Sequence, residues 1–215
     1  MQKKIFLDEE GDQWFLRNQQ VIQSIKSPKD DFILNELLDI YGYSESSMSK
    51  IKVLEIGCGN GSRLAWLKNN LGADVFGIEP SDKAAEAAIL NGVRAQKGTA
   101  DKLPFDDNFF DVVIFGFCLY LCDREDLFSI SSEANRVLRS PGWLLILDFF
   151  SKSFETNEYH HKKGLKSFKM DYRSLFSWHP FFDCISHKVR QHSIKTYTDN
   201  KKEWISISVL RKFIE

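Results

Sequence analysis

VLEIGCGNG, residues Val53 to Gly61, decides the fold: an apolar run closes on a glycine turn, and the SRLAWLKNNLG that follows has helical spacing up to Gly72. Glycine at Gly57, Gly59 and Gly61 lets the backbone turn tightly and bring N–H groups close to a ligand where a Cβ would intrude. Working outward, ADVFGIE (73–79) reads as a second strand and SDKAAEAAILNG (81–92) as a helix with Ser81 as N-cap and Gly92 beyond its end. VRAQKG and FDVVIFGF read as strands three and four. DREDLFSISSEANRVLRSPG is a helix capped by Asp123, with Leu127, Ile130, Ala134, Val137 and Leu138 as its buried stripe and Pro141–Gly142 as its stop. WLLILDFF is the fifth strand. Strands that are apolar nearly throughout, each followed by a helix, imply a parallel sheet covered on both faces.

The flanks differ in texture. FILNELLDIYG (32–42) has apolar residues at helical spacing, which makes residues 1–50 an N-terminal helical cap. In the tail, CISHKVRQHSI and EWISISVL read as two strands joined by a turn at Thr198–Lys202. Ile205, Ile207 and Val209 alternate with Ser206 and Ser208, the period of a half-buried strand. The expectation is one doubly wound α/β domain over 1–215: a mostly parallel, Rossmann-like sheet of seven strands with a C-terminal antiparallel hairpin. Its core spans 51–150 and its substrate-side segment 151–215.

Composition limits the function. The 215 residues carry 29 basic and 30 acidic groups, net −1, which gives no general attraction to nucleic acid. Lysines 162, 163, 166, 169, 201 and 202 read as solvated surface. Cys58, Cys118, Cys122 and Cys184 show no zinc spacing, and no metal site is expected; Asp30–Asp31 and Asp106–Asp107 read as cap or turn residues. No apolar stretch nears the roughly 18 residues that span a bilayer, and the acidic start MQKKIFLDEEGD is unlike a signal peptide, so a cytoplasmic chain without a membrane partner is expected.

Two acids flank the glycine turn. Glu79 ends the second strand 22 residues after Gly57, a distance at which a carboxylate accepts ribose hydroxyls. Glu55 precedes the turn, where it would repel a pyrophosphate and suit a cationic amino group. A dinucleotide site favours GxGxxG, and here the third glycine comes one position early, with Ser62 in its place. The ligand these residues suit has an ammonium at one end and a ribose in its middle.

VLEIGCGNG, GIEPS, GTADKLPFDDNFFDVVIFGFCLYLCD and LRSPGWLLILDF, in that order over about 50–150, resemble the class I S-adenosylmethionine-dependent methyltransferases of the type 11 kind. The resemblance implies S-adenosylmethionine as cofactor. It places Glu55, Gly57, Cys58, Gly59 and Asn60 around the methionine portion, Glu79 on the ribose, and Pro80 and Ser81 beside the adenine. Ala100 and Asp101 would serve the adenine edge, although Thr99 stands where the family often has Asp. Gly116, Phe117 and Tyr120 would lie near the sulfonium. GDQWFLRNQ and YHHKKGLKSFKMDYRSLF resemble a bacterial subgroup that modifies surface polysaccharides and secondary metabolites, and this nominates Trp14, Arg17 and Asn18 as a lid.

The expected chemistry is methyl transfer to oxygen or nitrogen of a small polar metabolite, such as a sugar- or phosphate-containing precursor of a surface polysaccharide. A hydroxyl acceptor calls for a base, and His160 and His161, read as neighbours in a strand, are candidates with Tyr172; Lys169 and Asp171 are a further polar group for an anionic substrate. His179, His187 and His192 read as structural or exposed. An RNA or protein methyltransferase and a non-catalytic binding module are the competing classes, and a monomer or homodimer fits the length.

Overall fold

The computed structural model describes residues 2–19, 31–192 and 196–213. Helices α1 (Gln2–Ile5) and α2 (Gly11–Asn18) flank a π-helical turn over Phe6–Glu10, and α3 (Phe32–Tyr41) follows. Then come β1 (Lys52–Ile56), α4 (Ser62–Leu71), β2 (Asp74–Glu79), α5 (Asp82–Leu90), β3 (Arg94–Lys97), β4 (Phe110–Gly116), α6 (Leu127–Val137) and β5 (Leu138–Phe149). The tail adds β6 (Glu155–Glu158), β7 (Lys166–Lys169), β8 (Phe182–Gln191) and β9 (Trp204–Lys212).

Seven strands form one sheet in the order β3-β2-β1-β4-β5-β9-β8, with β9 antiparallel to both neighbours. The strand order reverses direction between β1 and β4. In sheets of this kind the crevice at that reversal, outside the carboxyl ends of the strands, is where ligands bind. Successive strand residues enter two different cores. Val53, Val75, Val112 and Ile114 pack with Leu34 and Leu37 of α3 and Leu64 and Leu67 of α4. Leu54, Phe76, Val113 and Phe115 pack with Ile130 and Ala134 of α6 and with Tyr172 and Phe176 of the tail. Burial on both faces is what near-continuous apolar strands require.

The helix ends are read from local chemistry. The Ser81 hydroxyl accepts the Ala84 N–H at 3.1 Å, and Asp31 accepts the Leu34 N–H at 2.9 Å. Gly72 and Gly92 adopt φ of 75° and 81° at the ends of α4 and α5.

Four local expectations are corrected. Asp123 does not cap α6, which starts at Leu127; its carboxylate takes the N–H groups of Gln2 and Lys3 at 2.8 and 2.9 Å, so it caps α1 instead. Pro141–Gly142 does not stop α6, because the helix ends at Val137 and the pair lies within β5. The strand β9 is buried on both faces: Ser206 and Ser208 are 6% and 1% exposed because the tail covers the side expected to meet water. His160 and His161 stand in the turn between β6 and β7, not in a strand. The strand expected to reach Ile194 is seen to Gln191, and residue 194 lies outside the described residues.

Among the described residues, no helix is long and apolar enough to cross a membrane. Within the same residues, no group of three or more His, Cys, Asp or Glu side chains is placed to hold a metal ion.

Candidate cofactor and acceptor site

The three glycines of the turn have separate causes. All have positive φ, between 54° and 73°. A Cβ on Gly57 would stand 2.6 Å from Cys118 Cβ, and one on Gly61 would meet Val93 Cγ2 at 2.9 Å and Ala88 Cβ at 3.0 Å. Gly57 therefore seats the loop after β4, and Gly61 lets α4 pack on α5. A Cβ on Gly59 would meet nothing within 4 Å. Gly59 is the glycine that faces open space, as a ligand-facing position must. Gly57→Ala is expected to destabilise the fold by about 2–4 kcal/mol, from left-handed strain plus overpacking. Gly59→Ala should cost only the strain, about 1–2 kcal/mol. Urea unfolding of the two variants measures the difference.

Glu79 ends β2 with 8% exposure. Its Oε2 accepts the Gly59 N–H at 2.9 Å and its Oε1 the Ser81 N–H at 3.1 Å, so one carboxylate joins the glycine turn to the start of α5. Burial pushes its pKa up to about 7, against the two N–H bonds. Cys58 is buried beneath the turn, its sulfur where a Cβ on Gly77 would come within 2.5 Å. Asn60 Oδ1 accepts from Ser62 N–H at 3.1 Å and Ser62 Oγ at 2.8 Å, and its carbonyl accepts Asn91 Nδ2 at 2.9 Å.

Glu55 is 2% exposed at the end of β1. Its Oε1 is ion-paired with Arg63 Nη1, and its Oε2, fully buried, has no hydrogen-bond partner. Burial pushes this acid up to about 7 as well, with Asp31 and Glu79 adding to the rise and Arg63 opposing it. Arg63 also binds Asp31, with Nε and Nη2 each 2.9 Å from Oδ2, so the guanidinium ties the start of α3 to the glycine turn. Gly116 makes room for the pair: a Cβ there would lie 2.8 Å from Arg63 Nη1 and 2.9 Å from Glu55 Oε1. A buried carboxylate oxygen with no partner is costly and calls for a donor or a cation from outside the chain.

The N-terminal helices lie over this edge. Asp12 Oδ1 accepts Ser81 Oγ–H at 2.6 Å and the Lys83 N–H at 3.1 Å, fixing α2 on the start of α5. Trp14 is half-buried and packs with Ile5 and Leu121 against Phe6, Tyr159 and Leu165. Arg17 is ion-paired with the buried Glu10 and donates to the Tyr159 hydroxyl at 3.1 Å, while Asn18 Nδ2 donates to Trp14 O at 2.7 Å. Arg17 thus ties the cap to the segment between β6 and β7, while Asn18 bonds within α2. Pro80 is half-buried, Ser81 and Ala100 are buried, and the Asp101 carboxylate pairs with Lys3 Nζ at 2.6 Å.

After β4 the chain turns at Phe117, a non-glycine residue with φ 55°. Such a backbone persists for a bulky side chain only where its surroundings hold it. Here Phe117 N–H donates to Leu147 O at 2.8 Å. Asp148, 1% exposed, holds the next turn: its Oδ2 accepts Leu119 and Tyr120 N–H at 2.9 and 3.3 Å, and its Oδ1 accepts Phe149 N–H at 2.8 Å. Phe149 then gathers Phe117 at 5.4 Å, Tyr120 at 4.9 Å and His192 at 5.2 Å between ring centroids.

The candidate catalytic residues fall outside this group. His160 and His161 are exposed in the β6–β7 turn. Tyr172 is 2% exposed; its hydroxyl donates to Phe168 O at 3.1 Å and accepts from Arg124 Nη1 at 3.3 Å. Arg63, Asp148, Phe149 and His192 were not singled out by sequence for this edge. A lone acid inside the apolar run LLILDFF is the available sign for Asp148, whereas His192, read inside the strand CISHKVRQHSI, carries none.

Residues 54–146 match the profile of a family described as a methyltransferase domain. The ubiquinone/menaquinone biosynthesis C-methyltransferase of Idiomarina loihiensis is 30% identical over 164 residues, covering 65% of this chain and 64% of the relative. The chain spans between 42% and 64% of the length of this and other curated relatives. A S-adenosylmethionine-dependent methyltransferase of Methanosarcina mazei superposes with a TM-score of 0.64 at 18% identity, over 83% of this chain and 98% of that one. The 1,6-didemethyltoxoflavin-N1-methyltransferase of Burkholderia thailandensis, solved with its substrate and S-adenosylhomocysteine, gives 0.62 at 16% identity, over 84% and 76%.

Proposed function

We propose that this chain, whose residues 54–146 are a class I methyltransferase domain, binds S-adenosylmethionine at the Glu55–Gly61 turn and methylates a small-molecule acceptor. The observation that carries the reading is the buried, unpartnered Oε2 of Glu55, in a turn whose Gly59 faces open space and is held by Glu79. These groups fit a ligand with an ammonium and a ribose. Glu55 would take the ammonium, with Arg63 holding its other oxygen in place. Glu79 has lone pairs left for ribose hydroxyls beyond its two backbone donors. Pro80, Ser81, Ala100 and Asp101 would border the adenine, and Trp14 with Tyr120 would shut the methionine end from water.

When bound, the cofactor supplies a methyl group activated by a sulfonium. The chain's part is then to align the acceptor, exclude water and remove a proton where the acceptor carries one. A sugar-phosphate acceptor, expected from the weaker resemblance, has no support among the relatives above.

Protons should be coupled to binding. Without a ligand, Glu55 and Glu79 titrate near 7 because they are buried. A cation at Glu55 and hydroxyl donors at Glu79 favour the ionised forms, so binding releases protons and strengthens as pH rises through 7. Calorimetry with S-adenosylmethionine is expected to show affinity about tenfold or more weaker at pH 6 than at pH 8. Heats at pH 6.5 should also depend on the ionisation enthalpy of the buffer. Equal affinity at both pH values would remove Glu55 and Glu79 from the ligand.

A further inference from the structure

We propose that Phe117, Tyr120, Phe149 and His192 form the acceptor subsite, that it takes a planar hydroxylated aromatic ring, and that His192 removes the hydroxyl proton. This deepens the methyl-donor reading above and rests on it.

Position comes first. Phe117 follows Gly116, whose Cα lies against the Glu55–Arg63 pair, and Cys118 packs on Gly57. The aromatic group is therefore continuous with the turn assigned to the methionine end. Its members come from the carboxyl ends of β4 and β5 and from the residue after β8, which meet because Phe149 pairs with Ile205 and Gln191 with Trp204. His192 is held there by its backbone N–H, which donates to Glu203 O at 2.9 Å.

Shape and charge select the occupant. Phe117, Tyr120 and Phe149 are only half-buried and His192 is exposed, so this cluster keeps open ring surface, unlike the phenylalanines of the core. His192 meets Phe117 edge-on at 5.5 Å and Phe149 at 5.2 Å with a 31° tilt. Lys169 Nζ stands 5.4 Å from the Phe149 ring centre. Flat apolar walls favour a ring by stacking, whereas a sugar would leave its hydroxyls unpaired against them. The ammonium favours an oxygen that gains negative charge.

The imidazole is suited to a base. Partial desolvation where the ring lies against Phe117 and Phe149 lowers its pKa, with Glu203 raising and Lys169 lowering it; the net shift is downward, leaving a neutral acceptor at neutral pH. In the step, one proton passes from the acceptor hydroxyl to His192. The freed oxygen pair forms the bond to the methyl carbon as the carbon–sulfur pair goes to sulfur. Sulfonium charge is lost and imidazolium charge gained, and the imidazolium later gives its proton to water. Tyr120 remains a phenol, because burial and Asp148 push its pKa up.

The test uses 2-naphthol, with myo-inositol as control, on the full chain saturated with S-adenosylhomocysteine. Calorimetry should detect naphthol and not inositol, and Phe149→Ala should weaken naphthol at least tenfold with unchanged S-adenosylhomocysteine affinity. The His192 ring proton resonances should shift on adding naphthol. His192→Gln should bind naphthol within about threefold of wild type yet methylate it about 100-fold more slowly at pH 7. The deficit should close above about pH 10, where a phenol ionises unaided. A deficit that persists there, an unmoved His192 resonance, or preference for inositol overturns the proposal. If S-adenosylhomocysteine itself fails to bind, the donor reading falls first; if it binds and naphthol does not, the acceptor proposal falls alone.

Discussion

Glu79→Ala is expected to weaken S-adenosylhomocysteine binding by about 100-fold or more. Two hydrogen bonds from ribose hydroxyls to a buried carboxylate contribute about 1.5–3 kcal/mol each, and each 1.4 kcal/mol is about tenfold in affinity. The substitution also frees the Gly59 and Ser81 N–H groups that Glu79 now accepts. Loss of turn structure therefore adds to loss of contact. Glu79→Gln separates the two, since an amide oxygen still accepts one of these donors while the charge is gone. It should bind between the wild type and the alanine variant. A wild-type affinity in Glu79→Ala would take the ribose away from β2.

Arg63→Met should be the most destabilising single change near the site, by about 3–5 kcal/mol, because it leaves two buried carboxylates without their cation. Asp31 and Glu55 both depend on this guanidinium. For a chain of this size the loss corresponds to a fall in Tm of roughly 10 °C. The pH dependence has a definite sign. Glu55 in the fold titrates near 7, above its unfolded value of 4.5, so the folded state holds the extra proton between these limits. Stability from this group falls as pH rises from about 4.5 through 7. The Arg63→Met variant should therefore suffer more at pH 8 than at pH 5. Adding Glu55→Gln should restore part of the loss at pH 8. Urea unfolding at the two pH values checks both statements, and a loss under 1 kcal/mol at pH 8 would show that the pair carries little.

The parallel core was legible because its causes are local. Val53 to Gly61 and the apolar runs after it specify strand, turn and helix in order, and Glu79 is found by its distance from the turn. What was illegible depends on partners far along the chain. Ser206 and Ser208 alternate as if one face of β9 met water; the covering segment around Tyr172 and Phe176 comes over thirty residues earlier. Asp123 looks like a cap for the helix after it, and is claimed by the N–H groups of Gln2 and Lys3 from the other end of the chain. Arg63 reads as an ordinary helix residue until Glu55 and Asp31 converge on it. The proposed acceptor edge is hardest to see, because His192 reaches Phe117 and Phe149 only through the antiparallel pairing of β9 with β5 and of β8 with β9.

Equilibrium dialysis of labelled S-adenosylmethionine against the full chain, with and without excess NAD, tests the central claim most directly. One equivalent of S-adenosylmethionine should be retained with micromolar affinity, and NAD should not displace it. Failure to retain the label, or its release by NAD, would contradict the assignment of the Glu55–Gly61 turn.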